Sequence, residues 1–411
     1  MGVIVIGGGI GGLSLALALH QVGISCRVFE AVAEIKPLGV GINLLPHATQ
    51  ILSDLGIADQ LAAKGIETSE ICFYTRHGQL IDREPRGRHA GYDWSQISIH
   101  RADLHEILLA AVRNRLGPDA VTFGCRCIGV EHGRHGVAVH FVDSAGVILP
   151  VVKGDVAIGC DGIHSVVRRQ LHPTEPPLID HVTTSYRGVT RWMPFLTGAS
   201  MAYVGTFNTG KLVVYPIRDR IDGEGRQLIN WVLELKKPND RVRDWNRRVN
   251  IEACIGPFEA WRFDWLDVPG MLRAADEVLE YPLIDQNPLP FWSSGRVSLL
   301  GDAAHPMLPR GSNGAAQAII DAQCLASLLS KDGDIDGALR AYESIRLPAT
   351  AEVVLSNRDR SPDAILRVVE ERTGGKPFRA ITDVISQEEI DTWHENYRRT
   401  AGFGRDNLRG A

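Results

Sequence analysis

The chain has 411 residues, 44% hydrophobic and 23% charged, with a formal net charge of −5. That length holds two or three domains and a substantial core. The acidic balance without a basic run excludes a nucleic-acid partner, and no stretch nears the roughly 18 continuous apolar residues of a membrane span.

The first element begins at once, so no signal peptide is expected. Val3 to Ile6 are β-branched and apolar, as a buried parallel strand requires. Gly7, Gly9 and Gly12 then spell G-x-G-x-x-G, with Ile10 and Gly11 opening a helix that runs to about Val22. The first glycine permits the turn, the second lets backbone approach a pyrophosphate, and the third lets helix pack on strand. The helix aims free N–H groups and a positive dipole end at that phosphate. Glu30 closes the second strand about 18 residues beyond Gly12, where a carboxylate takes ribose hydroxyls. This stretch binds an adenine dinucleotide without saying whether it is NAD or FAD.

A helix is expected from Pro46 to Leu55, and "EICFYTRHGQLIDREP" (70–85) alternates like a hairpin turning at His77-Gly78. "HRADLHEILLAAVRNRLG" (100–117) is an amphipathic helix opened by Arg101, a cation that opposes the helix dipole and so wants another reason to be there. Strands follow near 121–130, 136–142 and 147–152, then an apolar strand into "VAIGCDGIHSVVRR" (156–169), which places Asp161-Gly162 between strand and helix.

From about 180 to 280 the chain turns β-rich and aromatic: "SYRGVTRW", "SMAYVG", "KLVVYPI" and "QLINWVLEL". Five tryptophans (192, 231, 245, 261, 265) fall here. They suit a wall over a flat ligand, or equally the core of a small domain. After Pro282, "RVSLLGDAAHPMLPRGSNGAAQAIIDAQCLASLL" (296–329) returns to strand, loop and long helix, with Gly301-Asp302 at the strand end and a glycine-broken loop through Gly311, Asn313, Gly314 and Ala315. The tail from Ser361 is helical and charged, with no legible chemistry. Seven scattered cysteines, an odd number without a paired C-x-x-C, argue for reduced thiols and a cytoplasmic protein. The 14 histidines contain no recognisable ligand set, so no metal is expected.

The expected fold is α/β: a Rossmann-like dinucleotide domain with an inserted, mostly antiparallel β-sheet substrate domain and a C-terminal helical segment. Its parts are residues 1–72, 98–180 and 281–360 for the nucleotide domain, 73–97 and 181–280 for the substrate domain, and 361–411 for the tail.

Three motifs in this order resemble the group A flavin monooxygenases, the single-component aromatic hydroxylases of the para-hydroxybenzoate hydroxylase type, over residues 1 to about 360. "EIKPLGVGIN", "SIHRADLHEILLAAVRNRLG" and "YPLIDQNPLPFW" look, within that family, like phenazine hydroxylases. The resemblance implies FAD as the bound cofactor, with NADH or NADPH as transient electron donor and O2 as co-substrate. A flavin C4a-hydroperoxide would hydroxylate a small planar aromatic or N-heteroaromatic substrate. It assigns Glu30 to the adenosine, Arg101 to the FAD phosphates and ribitol, Asp161-Gly162 to FAD and the reduced nicotinamide, and Asp302 to the ribitol.

Gly314 and Ala315 would offer N–H groups to the flavin N1–O2 edge. Pro309 would sit close to the ring, with Gly39 and Gly41 opposite it in a loop loose enough for a moving flavin. The family's lysine and asparagine in this loop are replaced by Asn313 and Ala316. Arg310 meets a substrate carboxylate or points to solvent. His305 is an acid–base candidate, although a histidine bonded to backbone is the commoner reading. No side chain stands out as a general base, so the flavin carries the chemistry. Arg187, Arg191, Tyr203, Tyr215 and Trp231 are candidate substrate contacts. The rival readings are a halogenase, oxidase or reductase of the same fold; "WRFDWLDVP" (261–269) lacks the tryptophan spacing and lysine of halogenases. A monomer or homodimer is expected.

Overall fold

The computed structural model describes residues 1–34, 40–133, 136–236, 247–331 and 333–404. Its first layer is a five-stranded parallel sheet in the order Val297–Leu299, Val156–Gly159, Gly2–Ile6, Ser25–Phe29 and Val121–Thr122. The central strands are apolar on both faces because both faces are covered. Helix Ile10–Gln21 is buried along nearly its whole length and packs against helix Gly314–Leu329, so it lacks the polar stripe of a surface helix. Gly7 turns the chain at φ +112°, and a Cβ on Gly12 would lie 2.0 Å from the Gly7 carbonyl oxygen, which excludes any other residue there.

The second layer is an eight-stranded sheet. Its order is Arg247–Val249, Val278–Asp285, Ile179–Trp192, Gln227–Lys236, Gly210–Arg218, Ser200–Thr206, Glu70–Tyr74 and Leu80–Pro85. Every pairing is antiparallel except Ser200–Thr206 with Glu70–Tyr74, which is parallel. The back face of this sheet holds Trp231, Trp261, Phe258 and Met271, with Trp192 and Trp265 at the margin. The tryptophans therefore form a core and do not wall a ligand; Trp245 and Gly39 lie outside the described residues. The front face is covered at one end by the C-terminal segment, through Ile365, Leu366, Val369, Ile385 and Ile390. Elsewhere it looks across a cavity at the nucleotide half.

A small sheet joins the two layers: Gly41–Leu44 and Ile66–Glu67 flank Ile97–His100. Gly41 is in a strand and not in a loose loop. Its N–H donates to Asn230 Oδ1 at 2.6 Å, and it packs against Tyr215 and Ile217 of the large sheet. All seven cysteines are free thiols. Among the described residues, no helix is long and apolar enough to cross a membrane, and no His/Cys/Asp/Glu group could hold a metal.

Candidate active site

The parallel strands Gly2–Ile6, Val156–Gly159 and Val297–Leu299 all end at one side of their sheet, and the turns after them meet there. Between these turns and the front face of the large sheet lies a cavity of about 570 Å³. Gly9, Ile10, Gly11, Gly41, Arg101, Asp161, Gly162, Gly301, Asp302, Pro309, Arg310, Asn313, Gly314 and Ala315 line it, as do Arg187, Tyr203 and Tyr215. Gly7, Gly12, Glu30 and Gly311 stand behind this lining.

Two helices point uncapped N-termini at the cavity. Neither Gly9, before Ile10–Gln21, nor Asn313, before Gly314–Leu329, offers a side-chain cap. Their orphan N–H groups are free for an anion. Glu30 shapes the first of these ends: its Oε2 accepts from Gly8 N at 2.7 Å and its Oε1 from Val32 N at 3.0 Å. His105, one turn beyond Arg101, donates from Nε2 to the Gly8 carbonyl at 2.6 Å. Arg101 itself starts its helix with its N–H on the Val40 carbonyl at 2.9 Å.

Asp161 is divided in use. Its Oδ2 accepts from Val166 N at 2.7 Å, while Oδ1 is buried without a partner. Burial pushes its carboxyl above the ordinary value, against the Ser165 hydroxyl and the Val166 N–H that favour the charge. Asn313 has a similar orphan: its Nδ2 donates to Tyr397 Oη at 2.8 Å and to the Gly311 carbonyl at 3.0 Å, and Oδ1 is unpaired. Orphaned buried polar atoms at a cavity mark a missing partner. A dinucleotide flavin, with hydroxyls, phosphates and a polar ring edge, matches this set: N–H ends for phosphate, acids for hydroxyls, and loop N–H groups for the ring. Asp302 is exposed at the start of the second helix, beside Gly314.

The sheet side is a grid. Arg187, Val232, Val213 and Tyr203 lie side by side on four adjacent strands. One step along the strands come Ser185, Glu234, Lys211 and Gly205; one step the other way come Val189, Asn230 and Tyr215. The centre of the floor is thus apolar and its corners are polar. Among the described residues Arg187 makes a single hydrogen bond, Nε to Ser185 Oγ at 3.4 Å, and it lies 5.0 Å from the Tyr281 ring. Among the described residues it has no carboxylate within ion-pair distance, and burial pulls its guanidinium below the ordinary value. Asn230 Nδ2 is also buried and unpaired.

Four expected residues are placed differently. Trp231 is on the back face, with Nε1 on Thr190 Oγ1 at 3.0 Å, because strand parity opposes it to Asn230 and Val232. Arg191 is exposed at the end of its strand. His305 is buried away from the cavity, its Nε2 on Asp321 Oδ2 at 2.6 Å; Asp321 also receives Gly301 N at 3.1 Å and Arg346 Nε at 2.7 Å. This cluster braces the Gly301 turn. Arg310 is neither free in solvent nor open to a ligand on all sides: its guanidinium stacks 4.3 Å from the Phe207 ring and donates to the Arg358 carbonyl at 2.9 Å.

Lys211, Glu234, Asn230, His105, Asp363 and Tyr397 were missed. The first two leave a trace in sequence, as charged residues within the otherwise apolar strands "KLVVYPI" and "QLINWVLEL".

Comparison with known proteins agrees with this geometry. Residues 1–214 and 284–356 match the family model described as "FAD binding domain". The chain is 41% identical to phenazine 1,6-dicarboxylic acid hydroxylase PhzS of Lysobacter antibioticus, over 93% of this chain and 95% of that one. It is 33% identical to 3-amino-4-hydroxybenzoate 2-monooxygenase PtnB3 of Streptomyces platensis, over 87% of each. Klebsiella pneumoniae HpxO, solved with FAD and uric acid, superposes with a TM-score of 0.76 at 25% identity, covering 100% of this chain and 97% of that one. The three motifs, the crevice they build and these likenesses together make the chain a member of the FAD-binding aromatic hydroxylases, an FAD-dependent monooxygenase that uses NAD(P)H and O2.

Proposed function

We propose that this monooxygenase hydroxylates a planar, electron-rich aromatic or N-heteroaromatic acid, of phenazine or benzoate type. The observation that carries the reading is Arg187, a partly buried cation that lines the cavity at the edge of an apolar floor and, among the described residues, has no carboxylate within ion-pair distance. Burying an unpaired charge is costly, and a carboxylate received by the planar guanidinium fork removes the cost. The PhzS and PtnB3 relatives are named for aromatic acids, which supports the same class.

The bound flavin, once reduced by NADH or NADPH, supplies O2 activation. The chain's own residues do the rest. Glu30 takes the adenosine ribose, Gly9 to Gly12 and Arg101 the phosphates, and Asp161, Gly162, Gly301 and Asp302 the ribitol side. Pro309, Gly311, Asn313, Gly314 and Ala315 shape the edge that faces the ring, where helix N–H groups favour negative charge. Val213 and Val232 keep water from the reacting face, while Tyr203 and Tyr215 wall the substrate and Arg187 sets which ring carbon faces the flavin. We read residues 1–72, 98–180 and 281–360 as the FAD-binding part, 73–97 and 181–280 as the substrate part, and the whole as a cytoplasmic monomer or homodimer.

Turnover of aromatic acids under ¹⁸O2 tests the reading. One labelled oxygen should appear on the ring and none from labelled water. NAD(P)H oxidation that gives only hydrogen peroxide with every aromatic acid would overturn it.

A further inference from the structure

The valines of the floor, Val232 and Val213, have a polar site on either side. On one side the charges cancel within the protein. Lys211 Nζ holds Glu234 Oε2 at 2.9 Å and also pairs with Asp363, and Arg310 stands beside them. On the other side is Asn230, which lines the cavity at 1% exposure and has only half of its amide in use.

Chemistry fixes which way that amide points. The Gly41 N–H, 2.6 Å away, can only donate, so the Asn230 atom facing it is the acceptor Oδ1. Nδ2 then faces the other way, buried and without a partner among the described residues. A flip of the amide would set N–H against N–H and leave Gly41 unsatisfied. The neighbours offer no relief. Val189, across one strand pair, is a hydrocarbon. Tyr215, across the other, turns its hydroxyl to Asn43, and Asn43 Oδ1 already accepts from Ser98 Oγ.

A buried donor of this kind asks its ligand for a lone pair and is left unpaired against a C–H. By sheet spacing, the Asn230 backbone is about 8 Å from that of Arg187. A fused-ring acid held by Arg187 therefore brings a ring edge to Nδ2. A hydroxyl there would carry a hydrogen of its own, for which Asn230 Oδ1 and Asn43 Oδ1 are already engaged. A ring nitrogen carries an in-plane lone pair and no hydrogen.

We propose that Asn230 is a specificity-determining residue, which donates from Nδ2 to a ring nitrogen and so selects an N-heteroaromatic acid over its carbocyclic analogue. This rests on the reading of the cavity as the site of an aromatic acid, and narrows it to nitrogen heterocycles. The bond to Gly41 is what makes the selection one-sided, because it holds the acceptor half of the amide away from the ligand.

Equilibrium titration of the FAD-loaded enzyme, followed by the flavin absorbance change without NAD(P)H, tests it. The probes are phenazine-1-carboxylate and anthracene-1-carboxylate, which share shape and charge and differ in the two ring nitrogens. The wild type should bind the phenazine acid at least about five-fold more tightly. A smaller ratio overturns the proposal, whether or not any variant folds. Asn230→Asp keeps the acceptor for Gly41 and removes the donor. Its added charge opposes both acids alike, so the ratio between them isolates the lost hydrogen bond, and it should fall at least about three-fold. A merely structural role, or a bond from Nδ2 to the flavin, would leave the ratio as it is in the wild type, and that result overturns the proposal. Binding of benzoate-type acids with neither tricyclic acid bound overturns it while the aromatic-acid reading stands. If no aromatic acid binds, both fall.

Discussion

As the proposed carboxylate anchor, Arg187 would do at the scale of one residue what the rest of the floor cannot, since valines and tyrosines can cover a flat ring without fixing its rotation. Arg187→Met should raise the Kd of an aromatic acid by about 30- to 150-fold, the loss of about 2–3 kcal/mol of charge-assisted hydrogen bonding. FAD content should be unchanged, because among the described residues its only hydrogen bond is to Ser185. Arg187→Lys should not restore binding, since an ammonium cannot span both carboxylate oxygens. Glu30 answers for two structures at once. Glu30→Ala removes the acceptor we propose for the ribose together with the anchor of the Gly8 and Val32 N–H groups, so FAD should bind more weakly by about 2–4 kcal/mol at most, read by equilibrium dialysis.

His47 makes a pH prediction at the same scale. It is stacked on Phe403 with ring centroids 5.5 Å apart, both ring nitrogens are buried without partners, and burial pulls it down to about 3. The unfolded chain takes up a proton below about 6.5, and the folded one does not until about 3. Stability is therefore complete above pH 6.5 and falls as pH drops, by about 1.4 kcal/mol per unit across that window. Urea unfolding between pH 4.5 and 7 should show this slope, and His47→Leu should flatten it.

The C-terminal helix Gln387–Thr400 shows what an element contributes beyond its sequence. Ser386 and Glu389 form a capping box at its start. Ile390, His394 and Tyr397 make the narrow stripe it buries. Tyr397 reaches the flavin loop, donating to Asn357 Oδ1 at 2.8 Å and accepting from Asn313 Nδ2. Gly311 is there because of it: at φ +75°, a Cβ would stand 1.7 Å from the Tyr397 hydroxyl oxygen. Tyr397→Phe should destabilise the fold by about 1–3 kcal/mol and loosen FAD, and Gly311→Ala should do more, both readable by thermal melts with and without added FAD.

The helix was legible in sequence, but its docking was not. A charged, narrow-striped helix reads as surface, and the partner of His394 is Asp82, 312 positions away, at 2.9 Å. The same limit explains the large sheet. Alternation within "QLINWVLEL" separates Trp231 from Asn230 and Val232 but does not say which set faces the flavin, and the Lys211–Glu234 pair needs a register set by pairing between strands. The glycine motif, by contrast, was readable because its turn, its helix start and its acid are fixed by neighbours a few residues apart.

In the whole molecule, buried charge as well as apolar contact holds the nucleotide half together. Asp321 joins His305, Arg346 and the Gly301 N–H within the nucleotide half, and His305 and Arg346 outweigh burial to hold its carboxyl below the ordinary value. Asp321→Asn should cost about 3–5 kcal/mol and lower flavin occupancy with the turn it braces, as measured by denaturation of the FAD-loaded protein. The strand Val297–Leu299, which completes the parallel sheet beside Val156–Gly159, carries a further consequence. During synthesis its partner strand waits while the whole β-rich insertion is made, and the helices carrying Asp363 and Tyr397 come later still. Contacts so distant in sequence form slowly, and an unpaired edge strand is meanwhile open to wrong pairing. The nascent chain therefore cannot hold FAD until almost all of it has left the ribosome, and the cofactor acts as a late clasp on an already folded insertion, so riboflavin starvation should show first as aggregated, newly made chains.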